Sequence, residues 1–136
     1  MVFIDQTPGR HRLRTVSSIG ESFPLITTAN GKATLALLAE PQRHQLAEGS
    51  LPAAELAEIH ATGIAFDLDQ HTPGVSAVGA AVEGIDGEIY SISVPVPSSR
   101  FISHREQIVA EFTATMARIR ALDVVDATHH ARADDA

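Results

Sequence analysis

Two runs of apolar residues stand on either side of the dipeptide Asp86-Gly87. Asp-Gly is a strong signal for a β-hairpin, because glycine tolerates the positive φ that a twisted two-strand turn requires. The apolar positions of the two runs are Val75, Val78, Val82, Ile89, Ile92 and Val94. Most of the remaining positions are small, namely Ser76, Ala77, Gly79, Ala80, Ala81, Ser91 and Ser93. The pattern predicts a hairpin over Gly74–Pro95 whose surface leaves room for a closely packed helix or for a ligand.

Four further stretches carry the capping residues or the spacing of helices. Thr27 or Thr28 caps a helix that continues to about residue 39. Within its first turns Gly31 costs roughly 1 kcal/mol relative to alanine, which predicts a close backbone approach there. The other helical stretches are a short turn at Pro41–Leu46, a helix from the cap Ser50 to Gly63, and a helix opened by the capping box Ser103–Glu106. This last helix has one apolar face, made of Ile108, Phe112, Met116 and Ile119.

Short segments complete the pattern and indicate the fold class. Val2–Gln6, Leu13–Ser17 and Ile64–Asp67 predict strands, and Pro97–Phe101 predicts a connection. Because strands and helices do not alternate regularly, the order favours an α+β fold with an antiparallel sheet and helices set to one side. The Ala-, Asp- and His-rich end predicts a disordered tail over residues 123–136. A single domain over residues 1–122 remains.

The composition narrows the classes of function. The chain has 136 residues, 44% of them hydrophobic and 20% charged, so one globular domain is expected. Its net charge of -7 disfavours direct binding to nucleic acid, since an acidic surface repels phosphates. The absence of cysteine excludes disulfides, thiolate catalysis and Cys-based zinc sites. We find neither a signal peptide nor an apolar run of ~20 residues, and therefore expect a cytoplasmic protein without membrane association.

Two short motifs offer candidate chemistry. The stretch Asn30–Ala33 is similar to the end of a phosphate-binding loop, but it lacks that loop's first glycine and its final Ser or Thr. Asp67, Asp69 and His71 alternate as they would on one face of a strand, so they are candidate metal ligands. The alternative, which we favour, is a polar turn that leads into a strand. With no Gly-x-Ser-x-Gly motif either, we predict no catalytic residue, no metal and no cofactor.

Three blocks of sequence resemble the C-terminal effector-binding domain of IclR-type transcriptional regulators. The blocks are Pro24–Ala36, then Gly63–Asp67 with Gly74–Ala77, then Gly87–Arg100. They are similar in order and spacing to the family patterns PLHATAxGKALLA, GYAxDxEExxxGvxCvAaPV and GxvvaAlSvSGPxxR, and the resemblance extends over roughly residues 3–121. It implies a GAF-like or profilin-like fold, which is a curved antiparallel sheet with flanking helices around a small effector. The family's opening helix and first strands have no counterpart here, so residues 1–122 are expected to be an effector-binding domain that is incomplete at its start.

The resemblance also implies which positions contact the effector. They are Arg12, Thr15, Ala29, Asn30, Asp67, Ala77, Ser93 and Pro95. Ala77 stands where the family often has cysteine, and Pro95 where it has serine, so the pocket is expected to be less polar than usual. Backbone N–H groups near Ala29 and Asn30 are expected to hold a carboxylate, since helix N-termini favour anions.

Two hypotheses of function follow, and neither is enzymatic. In the first, a small organic acid or an aromatic metabolite binds and shifts the arrangement of subunits in a homodimer or homotetramer. DNA is then bound only through an N-terminal helix-turn-helix domain, which the family has and this sequence does not show. In the second, the chain is an oligomerisation module without a working ligand pocket. A third alternative is a metal-dependent enzyme centred on Asp67, Asp69 and His71.

Overall fold

The sheet and helices are seen in a computed structural model that describes residues 1–15 and 18–133, with side chains described up to residue 122. In chain order the elements are α1 (Ala29–Leu37), α2 (Glu40–Leu46), α3 (Ala53–Thr62), β1 (Ala65–Leu68), β2 (Val75–Glu83), β3 (Ile89–Pro97) and α4 (Ser98–Ala133). Within these ranges the strands form one antiparallel sheet in the order β1-β2-β3. The predicted α+β class is confirmed. None of the described helices is long and apolar enough to cross a membrane.

The predicted hairpin is confirmed as β2 and β3. The two strands pair antiparallel over their whole length. In the turn between them Gly87 has a φ of 79°, and the backbone N–H of Glu88 donates to Asp86 Oδ1 at 3.0 Å. Since β1 pairs on the other side of β2, β3 is an edge strand. An edge suits Pro95 and Pro97, because proline has no N–H to donate to a further strand.

Each face of the sheet packs against helices. On one face, the buried cluster consists of Val78 and Ala80 from β2 with Phe101, Phe112 and Met116 from α4. On the opposite face, Ala65 and Ala81 form a cluster with Ala33 of α1 and Ile59 of α3. Gly79 and Ala81 of β2 therefore lie under α1, which is one of the two alternatives that the sequence left open.

The predicted ends of two helices are confirmed, and one predicted cap is wrong. Thr28 caps α1, because its Oγ1 accepts a hydrogen bond from the backbone N–H of Gly31 at 3.1 Å. Gly63 ends α3 in the left-handed conformation with a φ of 74°. At the start of α3, however, Pro52 and not Ser50 holds the cap position, and no side chain caps the helix.

The last helix begins earlier than predicted, and the predicted capping box lies at a kink within it. α4 begins at Ser98, so the segment predicted as a connection is its first turn. The hydroxyl of Ser103 donates to the carbonyl of Ser99 at 2.9 Å, and the helix bends at His104, whose φ is -125° and ψ is 20°. The earlier start buries Phe101, which is 1% exposed, against the sheet. The backbone of α4 runs to Ala133, residues 134–136 lie outside the described residues, and the domain boundary at residue 122 stays a prediction.

The two strands predicted near the N-terminus are not formed in the described residues. Val2 makes only an isolated antiparallel bridge with Ser22. Residues 13–15 form no strand, and Val16 and Ser17 lie outside the described part of the chain. The segment instead lies beside β3, where the Thr15 hydroxyl donates to the carbonyl of Pro95 at 2.7 Å. A regular ladder at this end of β3 would need backbone donors that its prolines lack.

Candidate functional site

Two glycines allow α1 to lie close to its neighbours. A Cβ on Gly31 would lie 2.4 Å from both Cα and the carbonyl oxygen of Leu25. A Cβ on Gly79 in β2 would lie 2.9 Å from the carbonyl carbon of Ala29. Real Cβ atoms do not approach other atoms so closely, so no larger residue fits without movement of α1. The predicted close backbone approach at Gly31 is therefore confirmed, and α1 is seated directly on the hairpin.

A cavity of about 1310 Å³ surrounds the edge strand β3 and is bounded by α1, the N-terminal segment 1–15 and the first turns of α4. On the side of the sheet that carries α1, the wall residues are Asn30 and Thr34 of α1, Leu38 directly after it, and Ser91, Ser93 and Pro95 of β3. Apolar side chains form much of the remaining wall, among them Phe3, Leu25, Leu46 and Ile89. Ligand sites are usually mostly apolar clefts of roughly 300–1,000 Å³ with a few polar groups. This cavity has room for a small organic molecule.

The polar group that distinguishes this cavity is the amide of Asn30. Asn30 is 6% exposed, and its Oδ1 has no hydrogen-bond partner among the described residues. Ser93, which is half-buried, faces the same cavity from β3, where it pairs with Gly79. Buried polar side chains are nearly always hydrogen-bonded in folded proteins. An unpaired amide in a cavity wall is therefore a candidate contact for a bound molecule.

The structure brings half of the predicted contact residues together at this cavity. Thr15, Asn30, Ser93 and Pro95 line it, whereas Arg12, Ala29, Asp67 and Ala77 do not. Ala29 is buried against Gly79, and Ala77 is buried within β2. Arg12 is exposed at the surface. A direct role of any of these eight residues in ligand binding stays a prediction.

Asp67, Asp69 and His71 do not form a metal site. Asp67 Oδ1 accepts hydrogen bonds from the backbone N–H groups of Gln70 and His71, at 2.8 and 3.3 Å. Asp69 Oδ1 accepts from the N–H of Gly74 at 2.6 Å. Within the described residues no group of three His, Cys, Asp or Glu side chains is arranged to hold a metal ion. The two carboxylates thus stabilise the turn before β2, which agrees with the favoured alternative.

Lys32 is an important residue that the sequence reasoning missed. Its side chain is 2% exposed and extends from α1 toward α3 and β1. The ammonium nitrogen lies 2.5 Å from Glu55 Oε1 and 2.9 Å from the carbonyl oxygen of Phe66, and it also donates to Gln70 Oε1. An ammonium group has three protons, and all three have acceptors here. A lysine set among the apolar positions of a helix is the sequence signal for such a buried ion pair.

The sequence matches a family model described as the bacterial transcriptional regulator IclR C-terminal domain, over residues 1–121. The chain belongs to the IclR family. Among its relatives, the HTH-type transcriptional regulator Rv1719 of Mycobacterium tuberculosis is 37% identical over 132 aligned positions, covering 87% of this chain and 51% of the relative. The HTH-type transcriptional regulator TtgV of Pseudomonas putida is 30% identical over 109 positions, covering 71% and 42%. The chain thus spans about half the length of the curated relatives it matches.

Solved structures show the same fold for this IclR domain. A C-terminal regulator domain from Vibrio cholerae superimposes with a TM-score of 0.69 at 24% identity, over 82% of this chain and 73% of that chain. The IclR protein of Thermotoga maritima gives 0.64 at 22% identity, over 86% and 55%. These similarities confirm the GAF-like fold that the sequence resemblance implies. The family is one of transcriptional regulators, so the chain is a regulatory domain and not an enzyme.

The hairpin turn of the IclR domain carries a hydrogen bond that pH titration can follow. The Tyr90 hydroxyl donates to Asp86 Oδ2 at 2.6 Å. This bond and the nearby negative charge raise the pKa of Tyr90 above its ordinary value of 10.0. The same bond, together with the N–H of Glu88, lowers the pKa of Asp86 below 3.8. This hydrogen bond stabilises the folded state fully between pH 3.8 and pH 10.0, the ordinary pKa values of the two groups. The stabilisation is lost as pH rises through the raised pKa of Tyr90 or falls through the lowered pKa of Asp86.

We expect Asp86→Asn to lower the pKa of Tyr90 toward its ordinary value, because both the charged acceptor and its field are removed. Tyr90 is the only tyrosine and the chain has no tryptophan, so ultraviolet absorbance at alkaline pH reports this group alone. Glu58→Gln in α3 is the control and leaves the titration unchanged. A titration curve of Asp86→Asn that superimposes on the wild-type curve would show that the hydrogen bond does not form in solution.

Proposed function

We propose that this domain senses a small effector molecule that binds in the cavity between α1 and β3. The buried Asn30 amide in the wall of an otherwise largely apolar cavity is the observation that supports this. Leaving a buried polar group unpaired costs about 1–3 kcal/mol, and a ligand that pairs with it recovers this free energy on binding. The effector then acts by population shift: it stabilises the arrangement of α1, β3 and the N-terminal segment that it contacts best.

Effector binding acts on the arrangement of subunits and, through it, on the binding of DNA. We propose a homodimer or homotetramer, in which effector binding favours one arrangement of subunits and thereby changes the DNA affinity of attached helix-turn-helix domains. An apolar row on β3 favours subunit contact, since Tyr90, Ile92 and Val94 are 41%, 39% and 39% exposed. These residues border the part of the cavity on the α4 side of the sheet, so a partner subunit there would also close that part of the cavity. A cytoplasmic location follows from action on DNA. If the domain only assembles, which is the second candidate function, this row is buried in the oligomer and no small molecule has an effect.

The experiment is a thermal-shift screen of small aromatic and aliphatic acids, phenols and alcohols, repeated with Asn30→Leu. We expect compounds that stabilise the wild type to bind Asn30→Leu about tenfold more weakly, since one hydrogen bond is worth about 1–1.5 kcal/mol. Gln45→Leu, which makes the same kind of change at an exposed position of α2, serves as the control. Light scattering with and without the compound measures the subunit arrangement.

Two results would count against the sensing proposal. In one, no compound stabilises the wild type, which favours the assembly module. In the other, Asn30→Leu binds every compound as tightly as Gln45→Leu does, which places the binding site elsewhere.

A further inference from the structure

The cavity meets α1 along one side, which begins in the first turn at Asn30. Its lining residues there are Asn30 and Thr34 of α1 and the C-cap Leu38, and their spacing of four positions places them on one side of the helix. The chain itself covers part of the end of the helix. Thr28 Oγ1 caps the N–H of Gly31, and the backbone of Leu25 lies so close that Gly31 has no room for a Cβ. The Thr28 side chain and the Leu25 backbone therefore cover part of the positive end of the helix, where a carboxylate was expected.

No buried cation faces the cavity within the described residues. Its charged or titratable lining residues are Met1 with its α-amino group, Asp5, His11, Arg14, Glu88, Tyr90, Arg100, His104 and Glu111, and all of them are exposed or half-buried. Arg100, which is half-buried, donates to the carbonyl of Leu13. The buried cation of α1, Lys32, is paired with Glu55 on the other side of the helix. A carboxylate bound beside Asn30 would lose its hydration without gaining an opposite charge, which is strongly unfavourable.

The polar groups beside Asn30 suit a hydroxyl group. Asn30 Oδ1 is an acceptor without a partner among the described residues, and Ser93 lines the same cavity from β3. A ligand hydroxyl can donate to Asn30 and accept from Ser93 at once, whereas a carboxylate can only accept. In either orientation of its amide, Asn30 is neutral and cannot balance a negative charge.

We propose that the effector is a neutral, mainly apolar molecule whose hydroxyl group pairs with Asn30, and that carboxylates are disfavoured. This rests on the proposed sensing function and narrows its ligand from acids and aromatics to one class. The apolar wall formed by Leu25, Leu38 and Ile89 holds the body of the molecule, and the amide of Asn30 selects its hydroxyl.

Three probes of one shape test the proposal by isothermal titration calorimetry at pH 7: 4-ethylphenol, 4-ethylbenzoate and ethylbenzene. At this pH the phenol is neutral and the benzoate is ionised. For the wild type we expect 4-ethylphenol to bind about tenfold more tightly than ethylbenzene, and 4-ethylbenzoate more weakly than both. In Asn30→Leu the ratio of the phenol and ethylbenzene dissociation constants falls to about one. The ratio is taken within one variant, so a general loss of stability does not produce this change.

The outcomes separate the two proposals. If 4-ethylbenzoate binds the wild type most tightly and Asn30→Leu abolishes that binding, the proposed ligand class is overturned while the sensing function stands. If the preference for 4-ethylphenol survives in Asn30→Leu, the assignment of the hydroxyl to Asn30 is overturned. If none of the three probes binds, the ligand class is overturned, and the broader screen then decides whether the sensing function fails with it.

Discussion

Replacing Gly31 by alanine is expected to reduce the free energy of unfolding by about 3 kcal/mol or more, although alanine is the better helix former. Two effects compete at this position. Alanine in a helix is favoured over glycine by about 1 kcal/mol. Against this, the new Cβ would lie 2.4 Å from Cα and the carbonyl oxygen of Leu25. Backbone atoms cannot turn aside as the end of a flexible side chain can, so the steric cost exceeds the gain in helix propensity.

Gly9→Ala is the matched control for this prediction. A Cβ on Gly9 would meet only Arg14 Cβ, at 3.8 Å, which is ordinary contact. We expect its effect to stay within about 0.5 kcal/mol, as for most surface substitutions. Urea denaturation of both variants measures the difference. A Gly31→Ala protein as stable as the wild type, or more stable, would mean that Leu25 does not lie against α1 in solution.

Neutralising Glu55 is expected to cost about 2–4 kcal/mol, because it leaves the ammonium of Lys32 buried without its opposite charge. The Glu55 side chain is 31% exposed, so water reaches part of the site and the cost lies below that of a fully buried pair. Lys32→Met removes the charge and retains most of the volume, and we expect it to cost less than Glu55→Gln. In the double variant, Glu55→Gln adds little to Lys32→Met. Chemical denaturation of the four proteins gives the coupling energy directly.

A second ion pair of the same chain provides the control. His44 Nε2 lies 3.7 Å from Glu40 Oε1, with side chains 69% and 77% exposed. Exposed pairs contribute little, so we expect Glu40→Gln to change stability by less than about 1 kcal/mol. If Glu55→Gln has no larger effect than Glu40→Gln, or if the Lys32 and Glu55 substitutions are simply additive, Lys32 does not depend on Glu55 for its burial.

Local signals predicted the elements whose ends depend on a few neighbouring residues. Asp86-Gly87 placed the hairpin turn, Thr28 was among the predicted caps of α1, and Gly63 ended α3 in the left-handed conformation. Each of these depends on a side-chain hydrogen bond or a backbone angle within about four residues. Such interactions can be recognised in sequence because their geometry does not depend on the rest of the fold.

The wrong predictions concern segments whose structure depends on distant partners. Ser103–Glu106 has the sequence of a capping box, yet burial of Phe101 against the sheet draws α4 back to Ser98. Val2–Gln6 has the alternation of a strand, yet it finds only an isolated bridge with Ser22. Whether a strand forms is decided by the donors and acceptors that a neighbour presents, and at β3 prolines remove some of them.

The order of amino acids already pointed to the family and to the α+β class. The three-dimensional contacts then decided which of the neighbouring α1 residues faces the cavity. Asn30 faces the cavity while Ala29 lies against the sheet and Lys32 pairs with Glu55, although all three are within one turn of α1. Successive helix positions point about 100° apart, so the side that faces β3 depends on how α1 is seated. The contacts of Leu25 with Gly31 and of Ala29 with Gly79 fix that seating. They form only when the chain folds, so the sequence alone does not reveal them.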